Sequence, residues 1–227
     1  LNPTQFADPD DLERYPRDLD RDVALAVEAG ADLVYAPAVE AIYPPGFATS
    51  VHVAGLTDRW EGAARPGHFE GVATVVAVLL NQVRPARSYF GEKDFQQLVV
   101  IRRLHADLAL PGEIVGCRTV READGLALSS RNARLSAAER RRAAVLWRAL
   151  FGMRTAVDEG VTEIDVLLAG GEKAVLAEPG VRLDYLAIVD PATLDPLDRL
   201  VPGARAIIAA TVGGTRLIDN VTIGDRG

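Results

Sequence analysis

Helix-like and strand-like segments alternate along the first half of this 227-residue chain, and the alternation limits the folds open to it. Apolar residues recur at helical spacing in some segments and form short continuous runs in others. The predicted elements are helices over 18–29, 72–83 and 95–108 and strands over 31–36, 50–53, 87–90 and 113–120. Strands joined by helices favour an α/β fold with a doubly wound, Rossmann-like parallel sheet.

The pattern changes beyond about residue 120. Ser136 and Glu139 have the spacing of a capping box, which predicts the start of a helix over 136–157. The further predicted elements are a helix over 163–177, a strand over 181–189 and a hairpin of 206–212 and 215–223. This order predicts a smaller α+β domain, so we expect one domain over 1–119 and a second over 120–227.

Composition and charge exclude several classes of protein. With 25 Lys and Arg against 32 Asp and Glu, the net charge of −7 argues against a broad nucleic-acid-binding surface. The densest apolar run, 72–80, is far shorter than the roughly 20 residues that span a bilayer, so no membrane partner is expected. The single cysteine, Cys117, cannot form an intrachain disulfide and favours a reducing, cytoplasmic location.

Two polar segments are candidates for binding a phosphorylated ligand. Residues 91–94, with the sequence Gly-Glu-Lys-Asp, lie between a predicted strand and a predicted helix, where parallel-sheet proteins bind ligands and helix N-termini attract anions. Ser129, Ser130 and Arg131 follow a glycine-containing turn and offer two hydroxyls and a guanidinium to phosphate oxygens. Taken alone, the first segment is more typical of a solvated turn and the second of a polar interdomain linker.

Side-chain amides provide a third set of candidates. Asn2, Gln5 and Gln97 could hydrogen-bond a polar small molecule, and His68 lies in a Pro-Gly loop that could support a binding wall. Surface solvation accounts for each of these residues equally well. The sequence contains no Gly-x-x-x-x-Gly-Lys-Ser/Thr loop and no Gly-x-Gly-x-x-Gly fingerprint, which argues against P-loop kinases and dinucleotide oxidoreductases.

Several motifs, taken together and in order, resemble the pantoate–β-alanine ligase (pantothenate synthetase) family. They extend along the whole chain, and several are long enough to be specific. The motifs lie at residues 2–6, 11–17, 61–69, 89–98, 124–132 and 215–220.

The resemblance implies a two-step ligation in a homodimeric enzyme. Pantoate attacks the α-phosphate of Mg·ATP to give pantoyl adenylate and pyrophosphate, and β-alanine then displaces AMP. Four of the residues implied to bind ATP are also implied to be catalytic, namely Lys93, Ser129, Ser130 and Arg131. Gln5 and Gln97 are implied to bind pantoate, and Gln5 to lie near β-alanine as well. The implied ATP-binding residues are Gly91, Glu92, Lys93, Asp94, Val120, Leu128, Ser129, Ser130 and Arg131.

The printed sequence departs from the family pattern at one point. The family carries a His-x-Gly-His motif near its amino end that holds ATP phosphates, and these 227 residues contain none. Two alternatives therefore stay open: a catalytically incompetent fragment that still binds ligand or dimerises, and another nucleotidyltransferase-like carboxylate ligase. We expect the chain as printed to be inactive and less stable than a version extended at its amino end.

Overall fold

The computed structural model describes residues 1–6, 12, 13, 15 and 17–224. Part of the motif at 11–17 therefore lies outside the described residues. The chain divides into two compact units, which are Leu1–Ala86 with Arg103–Gly112 and Arg87–Arg102 with Glu113–Gly227. The predicted domains, an α/β domain over 1–119 and a smaller α+β domain over 120–227, stay a prediction.

Helices form the regular structure of the first unit. The side chain of Asp18 accepts a hydrogen bond from the Arg21 N–H and so caps the first of them. The predicted apolar helix over 72–83 is confirmed, but it begins earlier, because Gly67 adopts φ 78° and turns the chain into the helix at His68. The helices are α1 (Leu19–Glu28), α2 (Val39–Ile42), α3 (Glu61–Ala64) and α4 (His68–Val83), with a 3-10 turn at Pro3–Gln5.

The predicted strands over 31–36 and 50–53 are wrong, since neither segment forms a strand. A strand is stabilised by hydrogen bonds to a neighbouring strand, and apolar composition alone does not supply them. Leu33 is 81% exposed. The backbone N–H of Val51 donates to the hydroxyl of Thr74, 2.9 Å away, instead of to a strand.

A parallel strand pair lies in the second unit. β1 (Arg87–Gly91) pairs with β2 (Glu113–Cys117), and the register places Gly91 opposite Cys117. β2 ends three residues before the predicted limit. A 3-10 turn, Glu92–Asp94, leads from β1 into α5 (Phe95–Asp107). The carboxyl ends of the two strands therefore meet at one edge, which is where open α/β sheets bind ligands.

An antiparallel sheet with helices packed on it completes the second unit. The predicted helix over 136–157 forms as two helices, with Ala144 between them. The predicted hairpin is confirmed, with Val212 opposite Thr215 across the Gly213-Gly214 turn and strand order β3-β4-β5. The elements are α6 (Ala137–Ala143), α7 (Val145–Asp158), α8 (Ile164–Leu176), β3 (Val181–Val189), β4 (Arg205–Val212) and β5 (Thr215–Thr222).

These elements confirm the predicted fold class, a parallel α/β sheet accompanied by a smaller α+β domain. The core of the antiparallel part is formed by apolar side chains of α7, α8 and the sheet, such as Leu150 and Ile208. No helix within the described ranges is long and apolar enough to cross a bilayer.

Candidate functional site

The turn at residues 91–94 is held through its backbone. The side-chain amide of Asn220, on β5, donates one hydrogen bond to the carbonyl oxygen of Glu92 and a second to that of Lys93, over 2.9 and 2.8 Å. Asn220 is 5% exposed, so these bonds lie away from competing water. Both N–H donors of one neutral side chain therefore fix two successive peptide groups.

Charged groups hold the side chains of the same turn. Arg205 Nη2 lies 3.2 Å from Glu92 Oε2, and its guanidinium stacks 4.0 Å above the ring of Phe95. Lys93 Nζ lies 3.3 Å from Asp94 Oδ1, with 18% of the lysine side chain exposed. The turn thus presents a cation at the carboxyl edge of the parallel strands, as the sequence predicts.

Residues 120–128 form a small hairpin that begins three residues after β2. Leu128 N–H donates to the carbonyl oxygen of Val120 over 2.9 Å, so the two residues are neighbours across the hairpin. Val120 is 67% exposed and Leu128 54%, which leaves two apolar side chains open to a flat apolar ligand group. Gly125 forms the turn with φ 88°, and a Cβ atom there would overlap the indole of Trp147.

Arg121 ties this hairpin to β5. Its two terminal nitrogens lie 2.6 and 2.9 Å from the two carboxylate oxygens of Asp219, a bidentate pair. The same guanidinium donates to the carbonyl oxygens of Gly125 and Asn220 and stacks 3.9 Å above the Trp147 ring. Burial raises the pKa of Asp219, while Arg121 acts in the opposite direction.

A second arginine holds the outer side of the hairpin. Arg140, on α6, lies 2.6 Å from a carboxylate oxygen of Glu122 and 2.7 Å from one of Asp124. Its hydrogen bonds lower the pKa of both carboxyl groups below their usual values. Both acids are more exposed than Asp219, so solvent screens these pairs more strongly.

The segment of Ser129, Ser130 and Arg131 follows the hairpin directly. Ser129 Oγ accepts a hydrogen bond from the Arg131 backbone N–H over 3.2 Å and caps the 3-10 helix Ser130–Arg134. Asn132 Nδ2 donates to the carbonyl oxygen of Ala127 over 3.1 Å. The two serines and the arginine are therefore carried on a short, capped element that is bonded back to the hairpin.

The two predicted pantoate-binding amides lie in different units. Gln97 is half-buried in the first turn of α5, directly after the turn that carries Lys93. Gln5 lies in the first unit, where Asn2 Nδ2 is 3.4 Å from Gln5 Oε1 and 3.0 Å from the carbonyl oxygen of Gly71. His68 Nδ1 donates to the carbonyl oxygen of Gln5 over 2.9 Å, so two further candidates from the sequence hold Gln5 in place.

The structure places every predicted ATP-binding residue, and Gln97, in the second unit, while Gln5 belongs to the first. The sequence reasoning missed four residues that anchor the segments predicted to bind ATP. Two of them, Asp219 and Asn220, lie in the motif at 215–220, where an acid and an amide stand inside a predicted strand. No group of three or more His, Cys, Asp or Glu side chains within the described ranges could hold a metal ion. The missed residues are Arg121, Arg205, Asp219 and Asn220.

The fold and this cluster define a class, an α/β protein with a ligand-binding edge on its parallel strands and an α+β part at its carboxyl end. Residues 1–222 match the family model described as pantoate-beta-alanine ligase. The chain is 57% identical to the pantothenate synthetase of Thermus thermophilus, covering 98% of this chain and 81% of the relative. It is 55% identical to that of Rhizorhabdus wittichii, covering 98% and 79%. The chain therefore belongs to the pantoate–β-alanine ligase family.

Solved structures of similar proteins agree with that assignment. The crystal structure of the Thermus thermophilus enzyme superposes with a TM-score of 0.93, covering 97% of this chain and 80% of that one. The Francisella tularensis ligase, 30% identical, superposes with a TM-score of 0.77, covering 98% and 76%. That structure is described as complexed with beta-gamma ATP and beta-alanine.

Proposed function

We propose that this chain, extended at its amino end, catalyses the ATP-dependent condensation of pantoate with β-alanine. A pantoate carboxylate oxygen bonds to the α-phosphorus of ATP, the bond to the bridging oxygen breaks, and pyrophosphate leaves. The β-alanine nitrogen then bonds to the acyl carbon of pantoyl adenylate, the bond to AMP breaks, and the amine releases a proton. The observation that carries the proposal is Lys93, held at the carboxyl edge of β1 in the same unit as residues 129–131.

Electrostatics explains why Lys93 is needed. A carboxylate and the ATP phosphates are both anionic and repel each other, so the first step requires a positive charge where they meet. Lys93 Nζ, next to the α-phosphate, offsets the charge that builds up during transfer. Asn220 bonds the backbone of Lys93 and not its ammonium group, which lies 3.3 Å from Asp94 Oδ1.

The remaining ATP contacts divide between the turn and the hairpin. Gly91, Glu92 and Asp94 hold the nucleotide along the turn. Apart from Gly91 and its two chain neighbours, no described residue has a heavy atom within 4 Å of the place where a Gly91 Cβ would stand. The ligand can therefore approach the protein backbone closely at Gly91. Val120 and Leu128 pack on the adenine side. Ser129, Ser130 and Arg131 donate to the phosphates.

Mg²⁺ enters this reaction as part of the Mg·ATP substrate. It prefers phosphate oxygens and water to a dedicated protein cage. The described residues fit this preference, since they offer no cluster of three metal-binding side chains.

Gln97 and Gln5 complete the acid site in this proposal. Both bind pantoate through hydroxyl and carboxylate groups, and Gln5 also lies near β-alanine. Residues 1–119 bind nucleotide and pantoate, and residues 120–227 form the smaller domain that brings the serines and Arg131 to the phosphates. We further propose a homodimer in the cytoplasm, with no nucleic-acid or membrane partner; analytical ultracentrifugation tests the dimer.

Pantoate-dependent ATP–pyrophosphate exchange tests the function. The assay uses an extended chain, in which the amino-terminal segment of the Thermus thermophilus relative precedes Leu1, beside the 227-residue chain. Exchange by the extended chain with pantoate, and not with other hydroxy acids, is the expected result. Stronger exchange with another acid favours the alternative carboxylate ligase. Pantoate binding without AMP formation by the 227-residue chain, beside exchange by the extended chain, favours the incompetent fragment.

A further inference from the structure

Two adjacent residues of β5 reach both of the ATP-binding segments. Asp219 bonds Arg121 of the hairpin, and Asn220 bonds the backbone of the turn at residues 91–94. The Asn220 backbone N–H also donates to Asp219 Oδ1 over 2.8 Å, which fixes the Asp219 carboxylate against the backbone of its neighbour. Asp219 is 3% exposed and Asn220 5%. One dipeptide thus connects segments that are nearly thirty residues apart in the chain.

The geometry of the Asn220 contacts controls where Lys93 points. Because its amide bonds the carbonyl oxygens of Glu92 and Lys93 together, the planes of two successive peptide groups are set. Those planes determine the direction in which the Lys93 side chain leaves the backbone. An error of about 1 Å in such a position can cost roughly 10²-fold in rate.

Asp219 has the corresponding effect on the hairpin. Its two oxygens hold the Arg121 guanidinium, which in turn bonds the carbonyl oxygen of Gly125 at the hairpin turn. The Arg121 backbone is bridged to Ala127 in the opposite arm. Asp219 therefore sets the position of the hairpin that carries Val120 and the residues after it.

We propose that Asp219 and Asn220 are positioning residues for ATP, which align Lys93 and the hairpin with each other. The inference rests on the proposed function, since it assigns the two residues to the same nucleotide site. A purely structural role accounts poorly for them, because buried polar groups seldom stabilise a strand better than well-packed apolar residues do. Their side chains instead bond the segments that bind ATP.

A double-mutant cycle in the extended chain tests the role of Asn220. Asn220→Asp keeps the shape but presents oxygen to both carbonyl oxygens, and we expect kcat of pyrophosphate exchange to fall about 10²-fold per folded molecule. In a Lys93→Ala background the same change should have little further effect, because Asn220 acts through Lys93. If Asn220→Asp does not fold, Asn220→Ala removes the donors without adding charge and completes the cycle.

Asp219→Asn gives a second, separable measurement. This change weakens the hold on the adenine-binding hairpin, so it should raise KM for ATP several-fold more than it lowers kcat. Asp184→Asn is the matched control: Asp184 lies on β3 of the same sheet and pairs with Arg216, 2.9 Å away. It should lower stability and leave exchange per folded molecule unchanged.

The outcomes distinguish a failure of this inference from a failure of the proposed function on which it rests. No pantoate-dependent exchange by the unsubstituted extended chain overturns the proposed function. If the unsubstituted extended chain exchanges normally, either of two results overturns the positioning role alone. One is that Asn220→Asp leaves exchange intact. The other is that the effects of Lys93→Ala and Asn220→Asp are additive in the double variant. Equal changes in kcat and KM for both β5 variants indicate a merely structural role and overturn it as well.

Discussion

The turn at residues 91–94 and the hairpin at residues 120–128 contribute to the same proposed site, but they are held by different chemistry. The backbone of the turn is bonded by the neutral amide of Asn220. The hairpin is held by two arginines, Arg121 on Asp219 and Arg140 on the acids of the hairpin itself. The backbone of the turn is thus held by an uncharged donor, although its Glu92 side chain pairs with Arg205, whereas the hairpin is held by ion pairs.

The difference follows from what each segment has to present. The turn carries Lys93, whose charge the proposed reaction needs. The neutral Asn220 amide, which bonds the backbone, does not compete with phosphate for that charge. The hairpin presents Val120 and Leu128, which are apolar. Ion pairs elsewhere on the hairpin therefore do not compete with the ligand for these side chains. Acid and salt should accordingly affect the hairpin more than the turn.

The largest expected effect is that of removing the cation from the turn. Lys93→Ala in the extended chain should lower pantoate-dependent pyrophosphate exchange by about 10²–10³-fold, the usual effect of losing one group that stabilises transition-state charge. Pantoate binding, measured by calorimetry, should persist. Lys173→Ala, an exposed lysine on α8, is the control and should exchange normally. Near-normal exchange by Lys93→Ala contradicts the assignment.

A pair of glycine variants sharpens the contrast between the two segments. Gly125→Ala should lower the free energy of unfolding by about 1–3 kcal/mol or more, because φ 88° is strained for alanine and its Cβ meets Trp147. Gly91→Ala should leave the free energy of unfolding nearly unchanged, since φ is −68° and the space beside it is open. It should nevertheless weaken ATP binding. Denaturant titration and calorimetry measure the two effects, and unchanged ATP affinity argues against a ligand at Gly91.

The amide after the turn should affect one substrate only. Gln97→Ala should raise KM for pantoate by about 2–10-fold, as expected from losing one uncharged hydrogen bond, and should change KM for ATP much less. Gln5→Ala should behave in the same way. Initial-rate kinetics with each substrate varied in turn provide the measurement. Equal changes in both KM values indicate that the amides are structural.

The smallest expected effect is that of removing the Arg140 ion pairs from the hairpin. Arg140 lowers the pKa of Asp124, so the folded state favours the carboxylate and the stabilisation is present above about pH 4. It is lost as the pH falls through the lowered pKa. Arg140→Gln should therefore destabilise the protein slightly at pH 7, by about 0.2–1 kcal/mol for a screened pair, and not at all in acid. The destabilisation caused by Asn220→Ala should not depend on pH in this way.

Local patterns in the sequence predicted the elements that depend on local interactions. The capping box at Ser136 and Glu139 and the hairpin at Gly213-Gly214 are confirmed because neighbouring residues specify them. The strand predicted over 31–36 is wrong because apolar composition does not reveal whether a neighbouring strand exists to pair with. Periodicity identifies a segment that can be buried, and pairing decides whether it becomes a strand.

The same limit applies to the site. The two segments proposed to bind ATP could be singled out, because each has its own turn chemistry and matches a family motif. The motif at 215–220 includes Asp219 and Asn220, but their contacts could not be predicted, since Arg121 and Asp219 are 98 residues apart and nothing in either local sequence indicates the other. The site residues themselves remain predictions for the kinetic measurements above.

β5 lies at the edge of its sheet, with β4 on one side. Exposed strand edges invite pairing with other chains and hence aggregation. At Asn220 the backbone groups are already hydrogen-bonded within the chain. The backbone N–H donates to Asp219 and the carbonyl oxygen accepts from Arg121 over 3.2 Å. The same residues that align the proposed site therefore also protect the sheet against joining another molecule edge to edge. Loss of this protection should show itself as light scattering during refolding.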